Sequence, residues 1–321
     1  MRILVTGAAG FIGSHLCERL LKSDHQVMGI DNFDSFYKRE IKEANLEDVK
    51  RAGDFEFKEM DILDKDGVDE LWRARGPFDV VVHLAALAGV RPSLEAPMRY
   101  AKVNVEGTMV ILEHLRKHPD TRLVFASSSS VYGARSEVPF DEADPCNHPV
   151  SPYASTKRSG ELLAWTYHHL YGIDAVCLRF FTVYGPRQRP EMAIAKFVRM
   201  VAEGEPITLF GDGSSARDYT FVEDIIDGTQ AAVEQDLSGY GIYNLGGSGT
   251  ISLMELVGSI EKAVGRPAKK NFDTNQPGDV PITCARVDRA ARDLGYKPKV
   301  KLEEGLRRYV SWAAKMKRIK V

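Results

Sequence analysis

A tyrosine and a lysine four residues apart, Tyr153 and Lys157, are the side chains of this sequence best suited to proton transfer. They follow Pro152 at the start of a segment with helical periodicity, and residues four apart on a helix lie on one face, roughly 5–6 Å apart at Cβ. A nearby ammonium group favours the phenolate form of a tyrosine and lowers the phenol pKa. Such a tyrosine can exchange a proton with a ligand hydroxyl near neutral pH. Because such pairs are more often structural, the interpretation depends on the rest of the chain.

A glycine-rich turn near the N-terminus predicts a dinucleotide site. Residues 3–5 form a short apolar β-type run, and three glycines spaced three apart follow between Gly7 and Gly13, ahead of a helical pattern. In this context glycines let the backbone approach a pyrophosphate, whose charge the helix N-terminus favours. A second β-type run ends at Asp31, where a carboxylate meets ribose hydroxyls and disfavours the extra phosphate of NADP. The sequence therefore predicts NAD rather than NADP, although Lys38 and Arg39 follow closely.

Composition excludes several classes of partner. The chain has 321 residues, 44% of them hydrophobic and 27% charged, with a formal net charge of −2. These values are those of an ordinary soluble globular protein and give no electrostatic reason to expect nucleic acid or an anionic membrane. No apolar run approaches the roughly 18 residues of a membrane span, and the N-terminus does not resemble a signal peptide. The four cysteines are scattered without metal-type spacing, so we expect reduced thiols, no metal site and a cytoplasmic protein.

Alternating strand and helix patterns organise residues 1–180, which we expect to form one domain. Apolar runs at residues 55–60, 78–86, 122–126 and 175–181 predict strands of a doubly wound parallel sheet in an α/β fold. Residues 98–117 and 153–171 predict long helices. His83, inside an apolar run, is interpreted as a core residue. The serines at 127–130 come directly after a predicted strand, at the edge of the sheet where ligands bind in such folds.

The character of the chain changes after residue 180. Glycine and proline become denser and the apolar segments shorter. This pattern predicts a smaller mixed α/β substrate lobe over residues 181–321, with helices at about 223–235, 252–264 and 302–317. Parts of this lobe are expected to return to the first domain.

Taken together, these features resemble the extended short-chain dehydrogenase/reductase family and its Rossmann-type fold. Within that family the chain looks like the nucleotide-sugar 4-epimerases, and among them those that act on UDP-glucuronate. The resemblance covers essentially the whole chain. Beyond the glycine turn, Asp31 and the Tyr153 helix, its markers are Asn104–Thr108, Ser127–Gly133, Leu178–Pro190, Arg217–Tyr219 and Gln276–Asp279.

The resemblance implies a tightly held NAD and gives residues their roles by position. Tyr153, aided by Lys157 and Ser128, would take the proton of a sugar 4-hydroxyl while hydride passes from C4 to NAD; Ser130 is added to this catalytic group. The 4-keto sugar would then rotate and receive the hydride on its other face. The residues implied for the cofactor are Gly7, Gly10, Phe11, Ile12, Gly13, Asp31, Asn32, Asp61, Ile62, Leu84, Ala85, Ala86, Asn104, Tyr153, Lys157 and Phe180. Those implied for the UDP-sugar are Arg91, Ser127, Ser128, Ser129, Thr182, Arg187, Arg189, Arg217 and Asp279.

Two local features indicate which reaction of this group the chain performs. Related dehydratases carry an Asp-Glu pair at the positions of Ser129 and Ser130, and decarboxylases carry a Glu at the second, so this chain lacks their acid/base group. The run Thr182–Pro190 resembles the glucuronate epimerases, whereas UDP-glucose epimerases usually have Asn at the threonine position. The resulting prediction is the interconversion of UDP-glucuronate and UDP-galacturonate. A UDP-glucose or UDP-N-acetylglucosamine 4-epimerase and a non-catalytic NAD(H) sensor are the alternatives. A homodimer through the helices at 98–117 and 153–171 is expected from the family.

Overall fold

The computed structural model describes residues 1–247, 249–274 and 278–319. The strands are β1 (Arg2–Thr6), β2 (Gln26–Asp31), β3 (Phe55–Glu59), β4 (Val80–His83), β5 (Arg122–Ser128), β6 (Ala175–Phe180), β7 (Thr182–Tyr184), β8 (Pro206–Phe210), β9 (Ala216–Arg217), β10 (Tyr219–Phe221), β11 (Tyr240–Leu245), β12 (Ile251–Ser252) and β13 (Lys269–Asp273). The helices are α1 (Phe11–Lys22), α2 (Arg39–Lys50), α3 (Lys65–Arg75), α4 (Val90–Glu95), α5 (Pro97–Ala101), α6 (Gly107–Lys117), α7 (Pro152–Tyr171), α8 (Ala193–Glu203), α9 (Val222–Glu234), α10 (Leu253–Val264), α11 (Asp288–Leu294) and α12 (Leu302–Lys315). Gln276 and Pro277, two of the resemblance markers, lie outside the described residues.

In the described part of the chain, seven strands form one parallel sheet in the order β11-β6-β5-β4-β1-β2-β3. Its central strands are apolar on both faces, as β4 illustrates, because helices cover the sheet from both sides. The sheet confirms the predicted doubly wound α/β fold. The reversal of strand order between β1 and β4 opens a crevice at the carboxyl ends of the strands, where ligands bind in such folds.

Residues after 180 contribute to this sheet as well as to smaller ladders. β11 pairs with β6 in parallel register, from Tyr240 opposite Ala175 to Leu245 opposite Phe180. The sequence did not predict this strand, nor α8 and α11. The remaining strands form the two-stranded ladders β7–β10, β8–β13 and β9–β12. The division of the chain at residue 180 into two domains stays a prediction.

The helix that carries the tyrosine and lysine has clear end signals. The Ser151 hydroxyl accepts a hydrogen bond from the Ala154 N–H at 3.1 Å, and Pro152 occupies the first helical position. At the other end Gly172 adopts a left-handed conformation with φ of 72°. The predicted helix over 153–171 is confirmed.

The long helix predicted over 98–117 is interrupted rather than uniform. A π-helix, Lys102–Glu106, lies between α5 and α6 and contains Asn104. A π-turn adds a residue to the helix and so changes the direction in which its side chains point; such turns are frequent at functional sites.

The other structural expectations concern cysteines and membrane spans. Cys17, Cys146 and Cys177 are buried free thiols, and Cys284 is a half-buried one. None of the helices in the described ranges is long and apolar enough to cross a membrane. Within the same ranges, no three His, Cys, Asp or Glu side chains are grouped so that they could hold a metal ion.

Candidate active site

A cavity of about 450 Å³ lies at the carboxyl ends of the sheet strands and brings most of the predicted site residues together. The predicted residues that line it are Gly7, Gly10, Phe11, Ile12, Gly13, Asp31, Asn32, Ile62, Leu84, Ala85, Ala86, Ser127, Ser128, Ser129, Ser130, Tyr153, Lys157, Phe180, Thr182, Arg189, Arg217 and Asp279. Four predicted residues, Asp61, Arg91, Asn104 and Arg187, do not line it.

The glycine turn leaves no space for side chains. A Cβ on Gly13 would lie 2.1 Å from the Gly7 carbonyl oxygen, and a Cβ on Gly7 would lie 2.9 Å from the Ala85 nitrogen. Gly7 also has a φ of 72°, which favours glycine. α1 begins directly after Gly10 without a side-chain cap, so its first N–H groups remain available at the cavity wall. Bare backbone at a helix N-terminus suits the phosphates of a dinucleotide.

Asp31 is held at the end of β2 by three donors. One carboxylate oxygen accepts from the Phe33 N–H at 2.8 Å and from the Lys42 ammonium at 3.3 Å, and the other accepts from the Ala9 N–H at 3.3 Å. Lys42 is buried and lines the cavity beside Asp31, and no pattern in the sequence predicted this role. Asp61, a predicted cofactor residue, does not line the cavity but accepts a hydrogen bond from the Asn32 amide, which does, at 2.8 Å.

Arg39, a basic residue that follows Asp31 in the sequence, is bound to carboxylates rather than directed at the cavity. Arg39 forms ion pairs with Glu43 and Glu59, at 2.8 and 2.6 Å, and stacks on the Phe33 ring. A guanidinium already bound by two carboxylates is poorly placed to receive a ribose phosphate. The surroundings of Asp31 therefore fit a cofactor with free ribose hydroxyls, as the sequence predicts for NAD.

Lys157 is buried and contacts the sheet. Its ammonium donates to the Ala126 carbonyl oxygen at 2.7 Å and lies 5.1 Å from the centre of the Phe125 ring. Burial lowers the pKa of Lys157 to about 8, and the negative charge of Glu161 opposes that effect. Lys157 is thus a cation whose charge is sensitive to its surroundings near neutral pH.

The pKa of Tyr153 differs from the expectation. Burial raises the pKa of the phenol, a hydrogen bond with Ser128 lowers it, and the positive charge of Arg189 lowers it further. The Lys157 ammonium donates to the Ala126 carbonyl oxygen, and the cation among the causes of the Tyr153 pKa shift is Arg189. That Lys157 lowers the Tyr153 pKa stays a prediction.

The four serines divide into two groups. The Ser130 hydroxyl donates to the Ser128 hydroxyl at 2.8 Å, and Ser128 also accepts from the Ser130 N–H at 3.2 Å. Together with Tyr153 they form a connected line of hydroxyl groups. Ser127 instead donates to the Glu161 carboxylate at 2.6 Å. Ser127 also lines the cavity, and its place beside the UDP-sugar stays a prediction.

Two predicted arginines of one loop, Arg187 and Arg189, lie in different surroundings. The Arg187 guanidinium is buried against α1 and α2, with Glu18 at 2.8 Å and Asp48 at 3.1 Å. It does not reach the cavity, and its assignment to substrate is corrected. Arg189 lines the cavity, stacks on Phe36 with 5.1 Å to the ring centre, and forms an ion pair with the half-exposed Glu191 at 3.2 Å.

Three further residues line or flank the opposite side of the cavity. The Arg217 guanidinium donates to the carbonyl oxygens of Ala216 and Pro281, at 2.9 and 3.4 Å, and burial lowers its pKa. Among the described residues its hydrogen-bond partners are carbonyl oxygens, and a half-buried guanidinium with such partners favours an anionic ligand. Arg91 binds Asp279 at 2.8 Å across the rim, outside the lining.

Asn104 and His83 support the site from behind. The Asn104 amide group binds both backbone groups of Leu87, at 2.8 and 2.9 Å, and the Thr156 hydroxyl at 3.0 Å. It binds groups of the cavity wall rather than lining the cavity, and its predicted place near the cofactor stays a prediction. His83 lies between the hydroxyls of Thr6 and Thr108, at 2.8 and 3.1 Å, and its interpretation as a core residue is confirmed.

Comparison with known proteins agrees with this geometry. A family model described as the NAD dependent epimerase/dehydratase family matches residues 3–246. The UDP-glucuronate 4-epimerase of Thermodesulfobacterium geofontis is 41% identical over 97% of this chain and 95% of its own length. A Bacillus cereus UDP-glucuronic acid 4-epimerase, solved with UDP-glucuronic acid and NAD, is 40% identical with a TM-score of 0.92, over 98% of this chain and all of that one. A Thermotoga maritima UDP-glucose 4-epimerase, solved with UDP-glucose, is 32% identical with a TM-score of 0.90, over 98% of this chain and 99% of its own.

Proposed function

Because the chain belongs to the NAD dependent epimerase/dehydratase family, we propose that it catalyses the reversible C4 epimerisation of UDP-glucuronate to UDP-galacturonate. It is an NAD-dependent enzyme of the extended short-chain dehydrogenase/reductase type. The observation that carries the choice of substrate is the presence of Thr182 and Arg189 in the same cavity as Tyr153 and the serine hydroxyls.

The cofactor residues suit NAD. The pyrophosphate fits over the bare turn from Gly7 to Gly13, at the uncapped start of α1. The Asp31 carboxylate is available to adenosine ribose hydroxyls, and Lys42 compensates its charge. When bound, NAD accepts the hydride of C4 and later returns it.

Proton transfer falls to Tyr153. Its phenolate takes the proton of the 4-hydroxyl and becomes the phenol, and the Ser128 and Ser130 hydroxyls orient the sugar oxygen in line with it. Burial raises the Tyr153 pKa, so a positive charge is required to make the phenol an effective base near neutral pH. Arg189 supplies part of that charge, and Lys157 adds to it once its ammonium turns from the Ala126 carbonyl towards the ligands.

The acidic sugar and the nucleotide need different cations. Arg217, half-buried without an ion pair within the described ranges, fits the UDP pyrophosphate. Arg189 and Thr182 fit the hexuronate carboxylate, which would replace Glu191 as the partner of Arg189. A 4-keto uronic acid is a β-keto acid and loses CO₂ when its C–CO₂ bond aligns with the carbonyl π system. Holding the carboxylate out of that alignment keeps the hexuronate intact.

The test is turnover of UDP-glucuronate by the purified protein, followed by NMR of the sugar ring protons. The expected product is UDP-galacturonate, at a rate well above that for UDP-glucose. Formation of UDP-pentose alone would overturn the proposal, because it would mean decarboxylation. Turnover of UDP-glucose or UDP-N-acetylglucosamine without turnover of the uronate would assign the chain to the neutral-sugar epimerases, to which it is also similar. NAD bound without any turnover would favour the sensor.

We also propose a homodimer formed by α5, α6 and α7. The proposal rests on the family resemblance and on exposed apolar side chains on these helices, with Met98 81% exposed, Leu170 60% and Trp165 48%. Light scattering during size-exclusion chromatography is expected to give twice the chain mass, and the chain mass alone would exclude the dimer. A cytoplasmic location stays a prediction.

A further inference from the structure

A buried carboxylate next to the catalytic lysine has no part in the chemistry described above. Glu161 lies on α7 one helical turn after Lys157, and its side chain is 0% exposed. Burying a carboxylate is unfavourable unless it is paired and hydrogen-bonded. Its partners therefore indicate what the group does.

Three side chains from three elements bind the two oxygens of Glu161. Arg179 of β6 binds both, at 2.8 and 2.9 Å, Ser127 of β5 donates to one at 2.6 Å, and Arg158 of α7 reaches the other at 2.9 Å. Ser127 and Arg179 are register partners in the β5–β6 ladder. Glu161 thus ties both strands to α7 at the point where β5 ends.

That point carries the catalytic groups. Ser128 follows Ser127 directly at the end of β5, and Tyr153 and Lys157 lie on the helix to which Glu161 binds this strand end. A change in the spacing of β5 and α7 would move the Ser128 hydroxyl relative to the Tyr153 phenol. Small misplacements of this kind reduce rates strongly in oriented active sites.

We propose that Glu161 is a positioning residue, which fixes the end of β5 against α7 and provides the counter-charge of Lys157. The assignment rests on the proposed function for its catalytic consequence, whereas its effect on the lysine rests on the placement of two buried side chains four residues apart on α7. Glu161 is the carboxylate whose charge acts on Lys157, and it favours the ammonium form against the effect of burial.

Among the residues that the structure describes, the other groups packed near Lys157 and Glu161 supply no negative charge. β5 presents the Phe125 ring and a carbonyl oxygen, and β4 presents His83, whose pKa burial lowers to about 3. Behind Glu161, β6 presents Arg179 and the Cys177 thiol, whose pKa burial raises. The Tyr240 phenol of β11 is neutral for the same reason and donates to the Glu161 backbone carbonyl.

The direct test measures the titration of Lys157. Protein with ¹³C at the lysine ε carbon is titrated by NMR without any sugar, and the Lys157 signal is assigned from Lys157→Met. In Glu161→Gln, which keeps the side-chain size and removes the charge, the pKa of Lys157 is expected to fall by about one unit. The matched control is Arg158→Gln, which removes a positive charge from the same carboxylate. This control is expected to leave the pKa of Lys157 unchanged or to raise it.

A second variant keeps the test valid if Glu161→Gln does not fold. Glu161→Gln leaves the Arg179 guanidinium buried without a counter-charge, which is strongly destabilising, whereas replacing both members of a buried pair is often neutral. Glu161→Gln combined with Arg179→Met is therefore expected to fold, and its Lys157 pKa is compared with that of Arg179→Met alone, which has lost the same guanidinium but keeps the Glu161 charge. The double variant is expected to show the lower Lys157 pKa of the two, and equal values would overturn the counter-charge assignment.

The positioning effect has its own readout. Ser127→Ala removes one hydrogen bond of the cluster and no charge. It is expected to lower kcat about tenfold with KM nearly unchanged, for whichever nucleotide sugar the parent converts. An unchanged kcat would overturn the positioning role. If no sugar is converted, the proposed function fails while the Lys157 titration still decides the counter-charge.

Discussion

Arg187 and Arg189 are two residues apart in one loop, and their replacement by methionine is expected to have opposite effects. Arg187 is buried with two carboxylates, 2.8 Å from Glu18 and 3.1 Å from Asp48. Removing it leaves both carboxylates, which are roughly a quarter exposed, without their shared cation. Breaking a fully buried pair costs about 3–5 kcal/mol, so about 2 kcal/mol is reasonable for these partly solvated groups.

This loss of stability translates into a measurable melting shift. The entropy of unfolding is about 2.1 cal/mol/K per residue, or about 0.7 kcal/mol/K for 321 residues. A loss of 2 kcal/mol then lowers Tm by about 3 °C. Turnover per folded molecule at 25 °C is expected to equal that of the parent, because the Arg187 side chain does not reach the cavity. Differential scanning fluorimetry and a fixed-enzyme rate assay measure the two quantities.

Arg189→Met is the matched comparison. Its ion pair with the half-exposed Glu191 contributes about 1 kcal/mol or less, so Tm is expected to stay within about 1 °C of the parent value. Turnover of UDP-glucuronate is expected to fall at least about a hundredfold, because the variant loses both the carboxylate partner and the cation that acts on Tyr153. The reasoning would be refuted by the reverse pattern, in which Arg187→Met keeps its Tm and loses turnover.

Three further predictions follow from the site and the core. Gly13→Ala places a Cβ 2.1 Å from a backbone oxygen of the glycine turn and is expected to release most of the bound NAD. The NAD content is measured by absorbance after denaturation. The control is Gly258→Ala on α10, where a Cβ meets open space, and this variant is expected to keep its NAD. Burial lowers the pKa of His15 to about 4 and that of His83 to about 3, so the unfolded chain takes up protons that the folded chain does not, and stability falls as pH drops from 6.5 to 4. Each histidine lowers the free energy of unfolding by on the order of 3 kcal/mol at pH 4 relative to neutral pH. In urea melts, the free energy of unfolding of His15→Gln should therefore fall less steeply with decreasing pH than that of the parent, and an equally steep fall would contradict the assignment. Tyr153→Phe is expected to keep NAD and lose about 10²–10⁴-fold in turnover, and parental turnover would remove it from the mechanism.

The parts of the fold that the sequence predicted are those with local causes. The helix at Tyr153 has a serine cap, a proline at its first position and a glycine at its end, all within its own segment. The glycine turn is likewise defined by neighbours along the chain. For the same reason the carboxyl ends of β2 and β5 could be located from the residues that end each apolar run.

The residues that were missed or misplaced depend on partners far along the chain. Arg187 meets carboxylates 169 and 139 residues earlier, so nothing in its own segment distinguished it from a residue that binds substrate. Lys42 lies on α2, whose sequence is too polar to show the apolar periodicity of a helix. Its role depends on the ion pair with Asp31, which lies on another element. The bond between Ser127 and Glu161 crosses from a strand to a helix, and no spacing rule relates the two.

The late position of β11 has a consequence for synthesis of the chain. β6 is completed at Phe180, but the strand that covers its outer edge begins only at Tyr240, about 60 residues later. At about 5–20 residues per second, a ribosome leaves that edge open for roughly 3–12 s. An open apolar edge is a template for pairing with another chain. A nascent chain at this stage therefore requires a chaperone or dilution, and a fragment that stops at residue 180 is expected to aggregate before it can bind a dinucleotide.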